Sequence, residues 1–221
     1  MSSPKNDSSK APRATDPRWA AMLALLATGG LYYALPERLA AGPNWLLLAV
    51  IVVLLIPIVA ARRAGHARLH FVLGLLLSGL VTAAVIWSLG MLISGLLEKR
   101  ESPTELLRGA AALWCSNILI FASWYWRLDA GGPTLRENRT LHTEGDFLFP
   151  QMMLPPALAA GYKKWKPGFV DYLFLAFNAS TAFSPTDVPV LSRWAKILMM
   201  IQSIISLGTI ALLAARAVNI L

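Results

Sequence analysis

The chain has 221 residues, of which 56% are hydrophobic and 14% charged, and its formal net charge is +8. Several apolar runs approach the roughly 20 residues a helix needs to cross a bilayer, which excludes a soluble globular domain and implies a polytopic membrane protein. The Lys and Arg residues cluster between those runs, where they orient spans and meet headgroups, so the charge argues for membrane topology and against nucleic acid as a partner. A single cysteine, Cys115, excludes an intrachain disulfide.

Residues 1–18 are rich in Ser, Pro and charge and read as a disordered basic tail. Trp19 to Leu35 has the look of a signal peptide's apolar region, but further spans follow and it is read as an uncleaved first helix. The second span runs from about Trp45 to Ala61, with Pro57 expected to kink it or shorten its last turn, and exits at Arg62 and Arg63. The third, about Leu69 to Leu97, exceeds one perpendicular crossing and must tilt or extend past the hydrocarbon. Gly74 with Ser78, and Gly90 with Ser94, put small residues one turn apart for close packing. The fourth, about Gly109 to Trp126, ends in Trp124-Tyr125-Trp126-Arg127, which reads as an aromatic belt with a cationic anchor at the interface rather than a binding site. Residues 19–127 are therefore expected to form a four-helix transmembrane region.

Residues 128–167 form a polar and interfacial connection that opens with Asp129-Ala-Gly-Gly-Pro133 and carries Arg136, Glu137, Arg139, Glu144 and Asp146. Phe147 to Tyr162 is apolar but broken by Pro150, Pro155 and Pro156, so it should lie along the interface or pack against the bundle, anchored by Tyr162, Lys163, Lys164 and Lys166. With four spans before this loop, one side collects Lys5, Lys10, Arg13, Arg18, Arg62, Arg63, Arg68, Arg127, Arg136, Arg139, Lys163, Lys164 and Lys166, and the other Arg38, Lys99, Arg100 and Arg108. The positive-inside rule places the N terminus and the loop in the cytoplasm.

The last part, residues 168–221, has the order of a pore loop: a short helix, an irregular stretch and a closing span. Phe169 to Phe183 holds Asp171, Asn178, Ser180 and Thr181 and spans only about 23 Å as a helix, short of a hydrocarbon core. It is either a tilted crossing, making a sixth span, or a re-entrant helix. Its C-terminal end carries a partial negative charge toward Ser184-Pro-Thr-Asp187-Val-Pro189, where Asp187 with Ser180, Thr181, Ser184 and Thr186 offers oxygen ligands to a cation. Asp187 or Ser192 capping the next helix is the plainer reading, and the two are compatible. In the closing helix, Leu191 to Leu221, Gln202, Ser206 and Thr209 form one stripe, with Arg216 close to it; the stripe either lines a lumen or bonds neighbouring helices.

The run from Asp171 through Asn178, Thr181 and Asp187 to Pro189, followed by a helix with Ser203, Ser206 and Gly208, resembles the pore helix, filter and inner helix of two-transmembrane potassium channels. A second likeness, through Asp129-Ala-Gly-Gly-Pro133 and Asp146-Phe-Leu-Phe-Pro-Gln151, is to bacterial inner-membrane proteins of unknown function. The channel resemblance implies a homotetramer around an axial pore. The stretch Thr181 to Asp187 has no glycine where potassium filters resemble T-V-G-Y-G-D, so the likeness does not extend to a potassium-selective carbonyl ladder.

Enzymatic readings find little. His66, His70 and His142 are scattered without metal-ligand spacing, Glu144 and Asp146 read as solvated or paired with Arg136 and Arg139, and Asn138-Arg-Thr140 is a chance glycosylation match in a cytoplasmic loop. A proton-coupled transporter would need a second broken helix, which the earlier half lacks. The expectation is an all-α integral membrane bundle with five or six hydrophobic segments, multi-pass in the cell's inner membrane, not an enzyme, with no cofactor or metal site. Its lead function is passive passage of a small monovalent cation through an oligomeric pore lined by Asn178, Ser180, Thr181, Ser184, Thr186, Asp187, Gln202, Ser206 and Thr209. The alternative is a non-conducting scaffold or accessory subunit whose 128–167 loop binds a partner.

Overall fold

A computed structural model describes residues 19–97, 103–138, 144–155, 165–182 and 187–218. The tail 1–18, the residues Arg139, Thr140, His142, Lys163 and Lys164, and the candidate ligands Ser184 and Thr186 lie outside the described residues, as does the side chain of Arg216. The described residues are helical apart from turns and a single bridge between Phe147 and Val190. The helices are α1 (Trp19–Tyr33), α2 (Asn44–Arg63), α3 (Ala67–Leu97), α4 (Pro103–Leu128), the short α5 (Pro133–Asn138), α6 (Phe169–Thr181) and α7 (Arg193–Val218). Four of them, α2, α3, α4 and α7, are long and apolar enough to cross a membrane, and α1 is a shorter apolar helix. The protein is a multi-pass helical membrane bundle.

The second, third and fourth expected spans coincide with α2, α3 and α4 and the closing one with α7, while the first coincides with the shorter α1. Pro57 does not end α2, which continues to Arg63. Leu47, Ile51, Leu55 and Ile58 of α2 turn inward while Val52, Val53 and Ile56 stay exposed, the one-sided burial expected of a peripheral helix in lipid. α4 differs: 61% of its crossing residues are buried, against 22–28% for α2, α3 and α7. It is the central helix, packed by α1, α3, α6 and α7. That position explains its lower apolarity, because a helix enclosed by protein can hold Ser116, Asn117 and Ser123 without exposing them to hydrocarbon.

α4 ends in an abrupt reversal. Ala130, Gly131 and Gly132 take φ values of 54°, 79° and 96° in succession, a left-handed run that two glycines make accessible. A side chain at Gly132 would also meet the Arg127 carbonyl at 2.9 Å. The expected belt at Trp124 to Arg127 is corrected here. Only Trp124 is half-buried, while Tyr125, Trp126 and Arg127 are buried inside the protein, because the reversed chain and α6 pack over the end of α4.

The contact of α1 with α2 rests on Gly29, where an added Cβ would lie 2.8 Å from Leu48 Cδ1 and 3.2 Å from the Leu48 backbone; at Gly30 nothing lies within 4 Å. Gly29→Ala is therefore expected to destabilise the bundle by about 1–3 kcal/mol through overpacking. Gly30→Ala should be neutral or gain up to about 1 kcal/mol of helix propensity. Denaturant unfolding in detergent of the two variants side by side checks the difference, and equal stabilities would contradict the close approach.

Candidate functional site

The site is built from the end of α4 upward. Asp129, fully buried, accepts the Tyr172 hydroxyl at 2.6 Å on one carboxylate oxygen and the Asp146 N–H at 2.6 Å on the other. Asp146 in turn accepts the Ala130 N–H at 3.2 Å and the Trp194 Nε1–H at 3.0 Å. Arg136 donates from Nη1 to the Trp126 and Asp129 carbonyls at 2.7 and 2.9 Å, with its guanidinium carbon 5.8 Å from the Trp126 ring and 5.1 Å from the Tyr172 ring. Two carboxylates thus bind the end of α4 to the start of α6, through Tyr172, and to the start of α7, through Trp194. Asp146, expected to be solvated or paired with Arg136 and Arg139, is instead partly buried and bonded to Trp194 and the Ala130 N–H, while Glu144 is exposed.

An aromatic plug completes this end. Phe147 has no exposed surface and touches the rings of Tyr125, Tyr172 and Trp194 at centroid distances of 5.1, 6.3 and 6.0 Å. The backbone beside it is pinned by Leu148 N–H to the Pro189 carbonyl at 2.9 Å and Leu191 N–H to the Asp146 carbonyl at 2.8 Å. Of the expected segment Phe147 to Tyr162, the described part packs against the bundle through the buried Phe147 and Phe149, while Pro156 to Tyr162 lie outside the described residues.

The hydrogen bonds also fix the direction of α6. Gln202 Nε2 donates to the Ala176 carbonyl at 2.6 Å and Ser206 Oγ to the Ser180 carbonyl at 2.7 Å, pairs with the same separation of 26 residues. Such pairs rise together, so α6 and α7 run parallel. Both start beside Phe147. α4 runs the other way, with Asp129 beside Tyr172 and Trp114, four turns earlier, against Phe177 at 6.1 Å. The chain therefore enters the bundle along α6, stops after 13 residues, about 20 Å, and returns to the end where it entered before α7 begins. A full crossing would have left α7 antiparallel to α6. Of the two readings of Phe169 to Phe183, this parallel placement of α6 and α7 is the arrangement that the re-entrant one requires.

Local sequence explains both starts. The Asp171 carboxylate accepts the Gly168 N–H at 2.7 Å at the first turn of α6. Ser192 Oγ accepts the Ala195 N–H at 3.4 Å at the first turn of α7, so Ser192 occupies the capping role considered for it or Asp187.

The expected pore residues fall into two groups. Ser180, Gln202, Ser206 and Thr209 are fully buried within the one chain. Gln202 is the hub: its Oε1 accepts the Tyr125 hydroxyl, its Nε2 also donates to Ser180 Oγ at 2.8 Å, and its backbone carbonyl accepts Asn117 Nδ2 at 3.1 Å. Thr209 donates to carbonyls of its own helix. The second group lies outside that network. Asn178 is half-buried, Thr181 is exposed and bonds the Phe177 carbonyl at 2.9 Å, and Asp187 is exposed on the returning stretch. Sequence reasoning missed Tyr125, Asn117, Tyr172 and Trp194 as partners. The available signal was Asp129, an acid one residue beyond an unbroken helix, since a carboxylate at a span's end calls for a nearby donor.

Tyr172→Phe leaves Asp129 with the Asp146 N–H but without its hydroxyl donor, and Gln202→Leu leaves Tyr125 unpaired; each is expected to cost on the order of 1–3 kcal/mol. Ser203→Ala, which removes a partly buried contact of 3.4 Å to the Ala179 carbonyl, should cost roughly 0.6 kcal/mol or less. Unfolding in detergent orders the three, and a Ser203→Ala loss as large as the others would contradict the assignment of Gln202 as hub. Compared with known proteins, the chain matches no family model, and no curated protein or solved structure is similar to it, so its function is read from this geometry.

Proposed function

We propose that the protein is ion-channel-like and passes a small monovalent cation through a pore formed by several copies, with the stretch after α6 facing the axis. The observation that carries this reading is the parallel placement of α6 and α7. Ser180, near the end of α6, is held beside Ser206, near the middle of α7, so α6 ends about halfway through the membrane. Irregular backbone at that depth is tolerated only where protein or a water-filled cavity shields it. In one chain the flanks of that stretch are open: Val170, Phe174 and Phe177 of α6 and Ile197, Ile204 and Leu207 of α7 are exposed. Further copies packed on these flanks would enclose it.

In this reading the cation path is Asn178, Thr181, Ser184, Thr186 and Asp187, where a carboxylate and hydroxyls meet the negative end of α6. Ser180, Gln202 and Ser206 hold α6 in place, and Thr209 bonds within α7. A tetramer is the assembly the potassium-channel likeness implies. The end carrying the site also carries Arg62, Arg63, Arg68, Arg136 and Lys166, and the parallel start of α7 adds Arg193 and Lys196, whereas Arg38 and Arg108 lie at the other end. The positive-inside rule puts the N terminus and the entry of α6 in the cytoplasm of an inner membrane. The internal satisfaction of Gln202, Ser180 and Ser206 favours a second reading, a non-conducting scaffold or accessory subunit, in which α6 is packing alone.

Cation flux into proteoliposomes holding the purified protein, measured for potassium, sodium and protons, separates the two. The pore predicts flux that Asp187→Asn lowers or makes less selective, from a protein that is oligomeric in detergent. A monomer with no flux for any ion would leave the scaffold.

A further inference from the structure

At the same end of the bundle, Arg127 is turned inward. It is only 5% exposed, and its guanidinium sits against Gly74 of α3, where an added Cβ would fall 1.8 Å from Nη1 and 2.3 Å from Cζ. Burying a guanidinium requires an anion or carbonyl partners, because desolvation otherwise outweighs what packing returns. Yet its Nε is buried with no hydrogen-bond partner, and so is the Ser78 hydroxyl, one turn along α3 from Gly74. The carboxylate nearest in sequence, Asp129, is turned to Tyr172 and the Asp146 N–H. Two buried donors on one helix seam therefore lack an acceptor. The exposed Arg62, Arg63 and Arg68 of the α2–α3 turn sit at this end too, adding to an electropositive field where headgroups lie.

We propose that the α3–α4 seam, where Arg127 is seated on Gly74, binds an anionic phosphate group, with Arg127 as the charged donor and Ser78 as a second. Arg127 suits the role because its planar fork of N–H groups matches phosphate oxygens, which a lysine ammonium matches only as a point charge. The phosphate can come from an anionic lipid headgroup at the membrane interface or from free phosphate, and the depth of Arg127, in the last turn of α4, is compatible with both.

Thermal-shift titration of the full chain in a neutral detergent tests this with three probes: phosphatidylglycerol, phosphatidylcholine, whose phosphate carries its own cation, and inorganic phosphate. The expected result is stabilisation by phosphatidylglycerol over phosphatidylcholine, weakened about tenfold or more in apparent affinity by Arg127→Gln. Gly74→Ala should weaken it comparably, because it expels the guanidinium while keeping the charge. It also serves if Arg127→Gln does not fold. Arg68→Gln, an exposed charge at the same end, should keep most of the preference. Stabilisation by inorganic phosphate, lost in the same two variants, would support the site with free phosphate as its ligand. No response to any anionic probe, or equal losses in Arg68→Gln and Arg127→Gln, would overturn it and leave only diffuse surface charge.

Discussion

The buried carboxylate of Asp129 is the constraint on which the arrangement of one end of the bundle depends. It lies one residue past α4, and both of its oxygens receive donors that belong to other parts of the chain, Tyr172 and the Asp146 backbone. A carboxylate buried this deeply without such donors would be strongly unfavourable. Satisfying it therefore fixes where α6 starts, and through Asp146 and Trp194 it also fixes where α7 starts. Once both helices begin at one end, α6 has no route across the bundle that leaves α7 where it is.

The second layer of control is Gln202. Its amide reaches two positions of α6 and a hydroxyl of α4, so it sets the depth of α6 relative to both neighbours. Polar side chains on a membrane helix can serve conduction or packing. Here the inward stripe holds the short helix and the exposed face of α7, with Ile197, Ile204 and Leu207, is apolar. In the proposed pore, the groups a solute would meet are those at the end of α6 and on the returning stretch, with Asp187 exposed there.

Much of this was legible in the sequence for a simple reason: crossing a bilayer demands long apolar runs, and α2, α3 and α7 are nearly uniform in that respect. The brevity of α6 was legible too, but whether it crosses or turns back was not, because periodicity carries no information about the direction of the next helix. That came from the pairing of Ala176 with Gln202 and of Ser180 with Ser206. The sequence of Trp124 to Arg127 misleads, since aromatic and cationic residues at a span's end usually face headgroups. They are buried because α6 and Phe147 cover them, a tertiary event encoded some twenty to fifty residues away. Asp129 and Asp146 were visible as polar loop residues, but the burial of Asp129 and the bonds of Asp146 to Trp194 and Ala130 are properties of the fold.

The parallel offset of α6 and α7 also constrains the order in which the chain can be assembled. Thirteen residues are too few to settle in a bilayer as an independent span, and the polar groups at the end of α6 have no partner in lipid until α7 supplies Gln202 and Ser206. α6 therefore finds its full set of partners only when α4 and α7 are both in place. The depth of α6 is thus a property of the assembled bundle, and Asp129 ties its start to the end of α4.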